Sequence, residues 1–117
     1  MSGNYIIEQI GKITAIRFTS PALVQDIIDV PDEVAQFENY TLRLWDFTKG
    51  LSLSSSDVAQ IANRAKNIGF PPSKVAILVS DKLGYGLARM FDVYREQENQ
   101  KINVFETEEE AMKWLMQ

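Results

Sequence analysis

The sequence predicts an α/β protein with a mostly parallel sheet of four or five strands and helices packed on it, in the order ββα-βα-βα-βα. Beyond the first two strands, strand-like runs alternate with segments of helical periodicity, a pattern typical of right-handed crossovers and a parallel sheet. Residues 75–79 (VAILV) are apolar throughout, as in a strand buried on both faces. No repeat or linker interrupts the 117 residues, so we predict one domain over residues 1–117.

The N-terminal segment predicts a hairpin followed by a short helix. Residues 5–9 and 12–18 are rich in isoleucine and are separated by Gly11, which indicates two strands joined by a tight turn. Ser20 then supplies an N-cap, and Pro21 suits the first helical position, where its missing N–H costs no hydrogen bond. We therefore expect a helix from Pro21 onwards.

A proline and an alternating strand follow this helix start. Pro31 is expected to end or bend the helix, because proline removes a hydrogen bond from a helix interior. Residues 41–47 (TLRLWDF) predict an interior strand. The two faces of this strand carry different apolar side chains, Leu42 and Leu44 on one and Trp45 and Phe47 on the other.

Each of the last three helices has its own start signal. The predicted N-caps are Ser54, Ser55 or Ser56 for the first helix, Asp81 for the second and Thr107 for the third. The first follows a polar loop, residues 48–54, and ends near Gly69. The third follows a last strand at residues 102–105, and Glu110 completes a capping box, T-x-x-E, at its start.

The composition excludes several kinds of chemistry. Cysteine and histidine are both absent, so disulfides, thiolate nucleophiles, histidine-based triads and histidine metal sites are excluded within this chain. The formal charge is −4 and the 12 basic residues are scattered singly, which argues against nucleic acid as a partner. No run approaches the ~20 apolar residues that span a bilayer, and the first residues lack the blocks of a signal peptide. We predict a cytoplasmic protein with no integral membrane segment and no cofactor.

Residues 74–94 (KVAILVSDKLGYGLARMFDVY) join a buried strand ending in Ser-Asp to a Tyr-Gly-Leu-Ala-Arg-Met-Phe helix. Together with Val104, Phe105 and residues 110–115 (EAMKWL), this segment resembles small bacterial proteins of the SpoIIAA-like group in the STAS (anti-sigma-factor antagonist) superfamily. The resemblance implies an α/β fold and a regulatory role through protein contacts. The better-known members are phosphorylated on a hydroxyl at a helix N-terminus directly after the third strand, whereas in this chain the serine run that precedes the next helix comes later, at residues 54–56.

Polar side chains at two strand ends form one candidate site, because open parallel sheets bind ligands at the carboxyl ends of their strands. Asp46 and Thr48 come at one strand end, and Ser80 and Asp81 at the next. The two carboxylates suit Mg²⁺ or, alternatively, cap the backbone; capping is favoured for Asp81, and both interpretations are open for Asp46. Residues 54–56 offer hydroxyls at a helix N-terminus, where an anion or a phosphate is stabilised, or they serve only as a cap.

The second candidate site lies on the helix that Asp81 starts. Gly84 and Gly86 each cost roughly 1 kcal/mol relative to alanine in a helix, so they indicate close packing on a strand or close approach of a partner. Tyr85 and Arg89 are four residues apart and share a face, and Asp92 is spaced to pair with Arg89. Tyrosine and arginine are common interface anchors, so Tyr85, Gly86, Arg89 and Asp92 predict an interaction surface. A solvated Arg89–Asp92 pair is the alternative.

Three functions fit these residues. The first, which we expect, is a non-enzymatic STAS-like regulatory or protein-interaction module that binds a protein partner or a second copy of itself as a homodimer. The second is a carrier of a small apolar ligand or lipid, because the architecture of the superfamily resembles that of CRAL-TRIO lipid carriers. The third is a Mg²⁺-dependent enzyme that uses Asp46 and Asp81.

Overall fold

A computed structural model describes residues 4–34, 41–68, 72–95 and 100–117. The strands within these residues are β1 (Tyr5–Ile10), β2 (Ile13–Phe18), β3 (Ala22–Leu23), β4 (Leu42–Phe47), β5 (Leu51–Ser52), β6 (Ser73–Val79) and β7 (Gln100–Phe105). The helices are α1 (Val24–Val34), α2 (Ser55–Ile68), α3 (Lys82–Arg95) and α4 (Glu108–Leu115).

Five strands form the main sheet in the order β1-β2-β4-β6-β7. β1 pairs antiparallel with β2, and every other neighbouring pair is parallel. Gly11, with a φ of 60°, turns the β1–β2 hairpin in a conformation that glycine adopts without strain. The predicted α/β class with a mostly parallel sheet is confirmed.

The segment after β2 differs from its prediction. The helix predicted to begin at Pro21 begins at Val24, and β3 pairs in parallel with β5 inside the predicted loop 48–54. The Ala22 N–H donates to the Gly50 carbonyl oxygen over 3.0 Å, so residues 22–23 gain sheet hydrogen bonds in place of a first helical turn. Pro31 does not end α1, which continues to Val34.

The other three helices begin where their caps predicted, directly after Ser54, Asp81 and Thr107. Thr107 Oγ1 accepts from the Glu110 N–H over 3.3 Å, as a capping residue does. The predicted helix end at Gly69 lies outside the described residues. None of the helices in the described ranges is long and apolar enough to cross a membrane.

Two apolar clusters cover the two sides of the sheet. On one side, which we call the helical face because three helices lie on it, α1, α2 and α3 pack over a cluster that includes Ile16, Phe47 and Ile77. On the opposite side, which we call the α4 face, α4 packs over a cluster that includes Leu44 and Leu78. β4 and β6 therefore contribute to both clusters by alternation, as predicted for interior strands.

Candidate functional site

Arg17 and Asp46 lie opposite each other at the carboxyl ends of β2 and β4. Arg17 Nη1 donates to Asp46 Oδ2 over 3.0 Å, and the Arg17 Nε donates to Glu8 Oε1 over 2.6 Å. The two terminal nitrogens of Arg17 also bind both carboxylate oxygens of Glu108, over 2.6 and 3.2 Å. One guanidinium therefore joins carboxylates from β1, β4 and the first turn of α4.

These contacts keep Arg17 charged and give it a structural role. Its hydrogen bonds, first with Glu108 and then with Glu8 and Asp46, raise the pKa of Arg17 although partial burial lowers it. The sequence prediction did not include this cluster. The side of the sheet on which Arg17 lies could have been predicted, because Arg17 is two residues beyond Ala15 and four beyond Ile13 on β2. Alternation therefore sends all three side chains to the α4 face.

Asp46 also closes the loop that follows β4. Its Oδ1 accepts from the Thr48 N–H over 3.0 Å and from Thr48 Oγ1 over 2.6 Å. Ser80 Oγ donates to the Thr48 carbonyl oxygen over 2.9 Å, so the predicted residues at both strand ends come together. Both carboxylate oxygens of Asp46 are engaged, which supports the backbone-capping interpretation of this residue.

The serine run at residues 54–56 is built as a helix cap. Ser54 Oγ accepts from the Asp57 N–H over 3.2 Å, and Asp57 Oδ2 accepts from the Ser54 N–H over 2.9 Å. This reciprocal pair is a capping box with aspartate in the third helical position. Ser56 Oγ lies 3.0 Å from Ser54 Oγ, and Ser55 is exposed in the first helical position.

The side chain of Asp81 caps α3. Its Oδ1 accepts from the Gly84 N–H over 2.6 Å, and its carbonyl oxygen accepts from the Tyr85 N–H over 3.0 Å. A Cβ on Gly84 would lie 3.0 Å from Asp81 Oδ1 and 3.5 Å from the Val79 side chain. Close packing therefore accounts for Gly84.

Gly86 has no such explanation. A Cβ placed on it would meet nothing within 4 Å, and the residue is exposed. Its neighbour Tyr85 is 41% exposed, and Arg89 is exposed one turn further along the helix. The Asp92 side chain lies outside the described part of the structure, so the pairing of Arg89 with Asp92 stays a prediction.

A small apolar cavity lies between the sheet and the three helices of the helical face. Its volume is about 50 Å³. Its lining is apolar throughout and consists of Ile27, Trp45, Phe47, Leu51, Leu53, Val58, Ile61, Ile77, Leu87 and Ala88. An apolar cavity of about 150 Å³ binds benzene or xenon, so the space in this conformation suits a ligand smaller than benzene.

Asp46 and Asp81, the two acidic residues considered for Mg²⁺, both accept hydrogen bonds from neighbouring protein groups. Asp46 accepts from Thr48 and Arg17, and Asp81 accepts from Gly84. Across residues 4–34, 41–68, 72–95 and 100–117, no three or more acidic, histidine or cysteine side chains are grouped so as to hold a metal ion.

No family model, curated protein or solved structure matches this chain. Its class therefore follows from its own architecture. It is an α/β protein with a mostly parallel five-stranded sheet, three helices on one side and α4 on the other.

Proposed function

We propose that this chain is a non-enzymatic, STAS-like regulatory module that acts through protein contacts. The contact surface is the exposed side of α3 together with the loop at residues 48–56, and we call it the α3 surface. The proposal is carried by one observation: exposed Tyr85 stands beside exposed Gly86, and no contact among the described residues requires a glycine at position 86.

The glycine supports the proposal through its cost. A helical glycine costs roughly 1 kcal/mol relative to alanine, and at position 84 crowding of a Cβ by Asp81 and Val79 explains why glycine is present. At position 86 a Cβ would meet nothing within 4 Å, so crowding within the described residues does not explain that glycine. A partner that approaches the helix backbone beside Tyr85 gives Gly86 a physical reason, since any Cβ would hold that partner away.

The loop supports the proposal through its position. The hydrogen bond from Ser80 to the Thr48 carbonyl ties the start of α3 to the loop, so they form one edge of the molecule. Leu23, which is 47% exposed, lies on β3 beside Ser52 at this edge. Leu23 therefore adds an exposed apolar side chain next to the loop of the α3 surface.

The test compares two exposed apolar positions on different sides of the molecule. We expect the double variant Tyr85→Ala/Arg89→Ala to lose self-association in sedimentation velocity, or to lose a partner that the purified wild-type chain captures. The control is Met116→Ala, because Met116 is 61% exposed beyond the end of α4. Equal association of all three proteins, with unchanged circular dichroism, contradicts the proposal.

A second candidate function, binding of a small apolar ligand, is favoured by the wholly apolar cavity. The probe is xenon, which enters dry apolar cavities and is smaller than benzene, dissolved under pressure in a solution of isotope-labelled protein. Methyl resonances of Ile77 and Leu87, which line the cavity, should shift, whereas those of Ile13 across the sheet should not. Shifts that are absent, or that are equal at all three residues, remove this candidate.

A further inference from the structure

β1 forms one edge of the main sheet, and its hydrogen-bonding groups alternate in direction. The Thr19 N–H donates to the Asn4 carbonyl oxygen over 2.9 Å, so the backbone polar groups of residue 4 face the β2 side. Because these groups alternate along a strand, the backbone N–H and C=O of Ile6 and Glu8 also face β2. Those of Tyr5, Ile7 and Gln9 face away from the sheet. Within the described residues, no hydrogen bond reaches those outward backbone groups.

The opposite edge of the sheet is treated differently. On β7, Asn103 Oδ1 accepts from the Val104 N–H over 2.9 Å, so a side chain of this edge strand binds one of the strand's own backbone donors. Protein sheets usually protect their edges with such contacts, with proline or with charges. β1 has no proline or lysine, and its one charged residue, Glu8, is tied to Arg17.

Acidic side chains of α1 lie beside this edge. Asp26, Asp29 and Glu33 follow one flank of the helix, at spacings of three and four residues. The flank reaches the start of β1 through two hydrogen bonds of 2.6 Å. Asn4 Nδ2, directly before the strand, donates to Asp26 Oδ2, and the Tyr5 hydroxyl donates to Glu33 Oε1. α1 contains no basic residue.

The same acidic flank acts on Tyr5. Burial, the hydrogen bond to Glu33 and the charges of Glu33, Asp29 and Asp26 together raise the pKa of the Tyr5 hydroxyl. Two of these carboxylates, those of Asp26 and Glu33, also bind residues at the start of β1 directly. On the other side of the strand, Ile6 is 57% exposed and offers an apolar contact.

We propose that the outward edge of β1 binds an extended basic segment of a partner protein, which adds a sixth strand to the main sheet. Tyr5, Ile7 and Gln9 supply the main-chain hydrogen bonds, as in other cases of strand addition. Lysine or arginine at every second position of the partner faces the acidic flank of α1. The alternate positions are apolar and contact Ile6, since side chains along a strand point to opposite faces.

A second copy of the chain fits this edge less well. Two β1 strands paired about a two-fold axis would bring the acidic flanks of both α1 helices to the same side of the junction. Each copy also carries a formal charge of −4. Like charges facing each other across an interface disfavour that pairing, whereas a basic segment complements it.

The experiment measures binding of fluorescent peptides to the full chain by anisotropy. The probe is KVKVKVK, and the control is EVEVEVE, which has the same apolar pattern and the opposite charge. We expect the basic peptide to bind at least about tenfold more tightly and to slow hydrogen exchange at the amides of Tyr5, Ile7 and Gln9.

Two pairs of variants separate the edge from general charge attraction. Gln9→Pro removes an outward N–H without breaking the β1–β2 ladder and should weaken binding about tenfold, whereas Gln9→Ala should not. Asp29→Lys and Glu109→Lys change the net charge equally. Only Asp29→Lys should weaken binding, by roughly threefold to fivefold, because Glu109 lies on α4.

Four results would overturn the proposal. These are equal binding of the basic and acidic peptides, equal binding by Gln9→Pro and Gln9→Ala, no binding at millimolar peptide, and a wild-type dimer that Gln9→Pro dissolves. The last result would assign the edge to a second copy. Tyr85→Ala/Arg89→Ala should leave peptide binding unchanged, so this proposal and that for the α3 surface succeed or fail separately.

Discussion

The Gly84 amide donates to Asp81 Oδ1 over 2.6 Å, and a Cβ on Gly84 would lie only 3.0 Å from that same oxygen. The backbone N–H of residue 84 therefore binds the capping carboxylate of Asp81, and the missing Cβ leaves room for that carboxylate. Gly86, two positions further along, faces open space. Two glycines in one helical turn thus have different physical reasons.

Alanine at these two positions should have different effects on stability. Gly86→Ala should raise the free energy of unfolding by roughly 0.5–1 kcal/mol, because alanine is the better helix former and its Cβ meets nothing. Gly84→Ala should be about 1 kcal/mol less stable than Gly86→Ala, because the Asp81 carboxylate must move. Urea unfolding of both variants measures the difference, and equal values contradict the packing explanation for Gly84.

Arg17→Met should lower the free energy of unfolding by about 2 kcal/mol. The change leaves three carboxylates without their shared cation, and Arg17 is only partly buried, which keeps the loss below that of a fully buried ion pair. Lys12→Met, at an exposed position in the hairpin turn, is the control and should have little effect. A loss of less than about 0.5 kcal/mol for Arg17→Met would show that the cluster adds little.

The Tyr5 hydroxyl should make stability fall in alkaline solution. Its pKa is raised in the folded protein by burial and by the hydrogen bond to Glu33, so folding favours the protonated form. That contribution is complete below the ordinary tyrosine pKa of about 10 and decreases as the pH rises above it. Tyr5→Phe should be less stable by about 1 kcal/mol at pH 7, and the difference from wild type should shrink above pH 10. A difference that is constant with pH contradicts the assignment.

Filling the apolar cavity should stabilise the chain. Val58 is 3% exposed and lines the cavity, so Val58→Ile should add up to about 0.8 kcal/mol by burying one more methylene group. Val30 is fully buried in α1 and is not part of the lining. Val30→Ile should therefore overpack the core and cost about 1 kcal/mol or more. Thermal unfolding of both variants distinguishes free space from close packing.

The features that could be predicted from the sequence are those that depend on near neighbours. The sequence predicts caps at Asp81, at Thr107 and at one of residues 54–56, of which the structure uses Ser54, because a cap and its partner lie three residues apart. The two faces of β4 followed from strict alternation, which sends Leu44 to one cluster and Phe47 to the other.

The features that were missed depend on pairings between distant residues. The short β3–β5 pair joins Ala22 to Leu51, and nothing near either residue indicates the other. The Arg17 cluster needs the register between β2 and β4, which sets Arg17 opposite Asp46. The cavity depends on how ten side chains from several elements fit together, a property of packing that periodicity does not contain.

The position of α4 has a consequence for how the chain folds during synthesis. This eight-residue helix is too short to be stable alone and is held at its ends by the sheet, through Arg17 to Glu108 and through Lys74 Nζ to the Trp114 carbonyl over 2.6 Å. It is also translated after every strand that it covers. Leu44 and Leu78 thus lack their cover from α4 until the last residues of that helix are made and folded, and during that interval these side chains are open to aggregation and to chaperones.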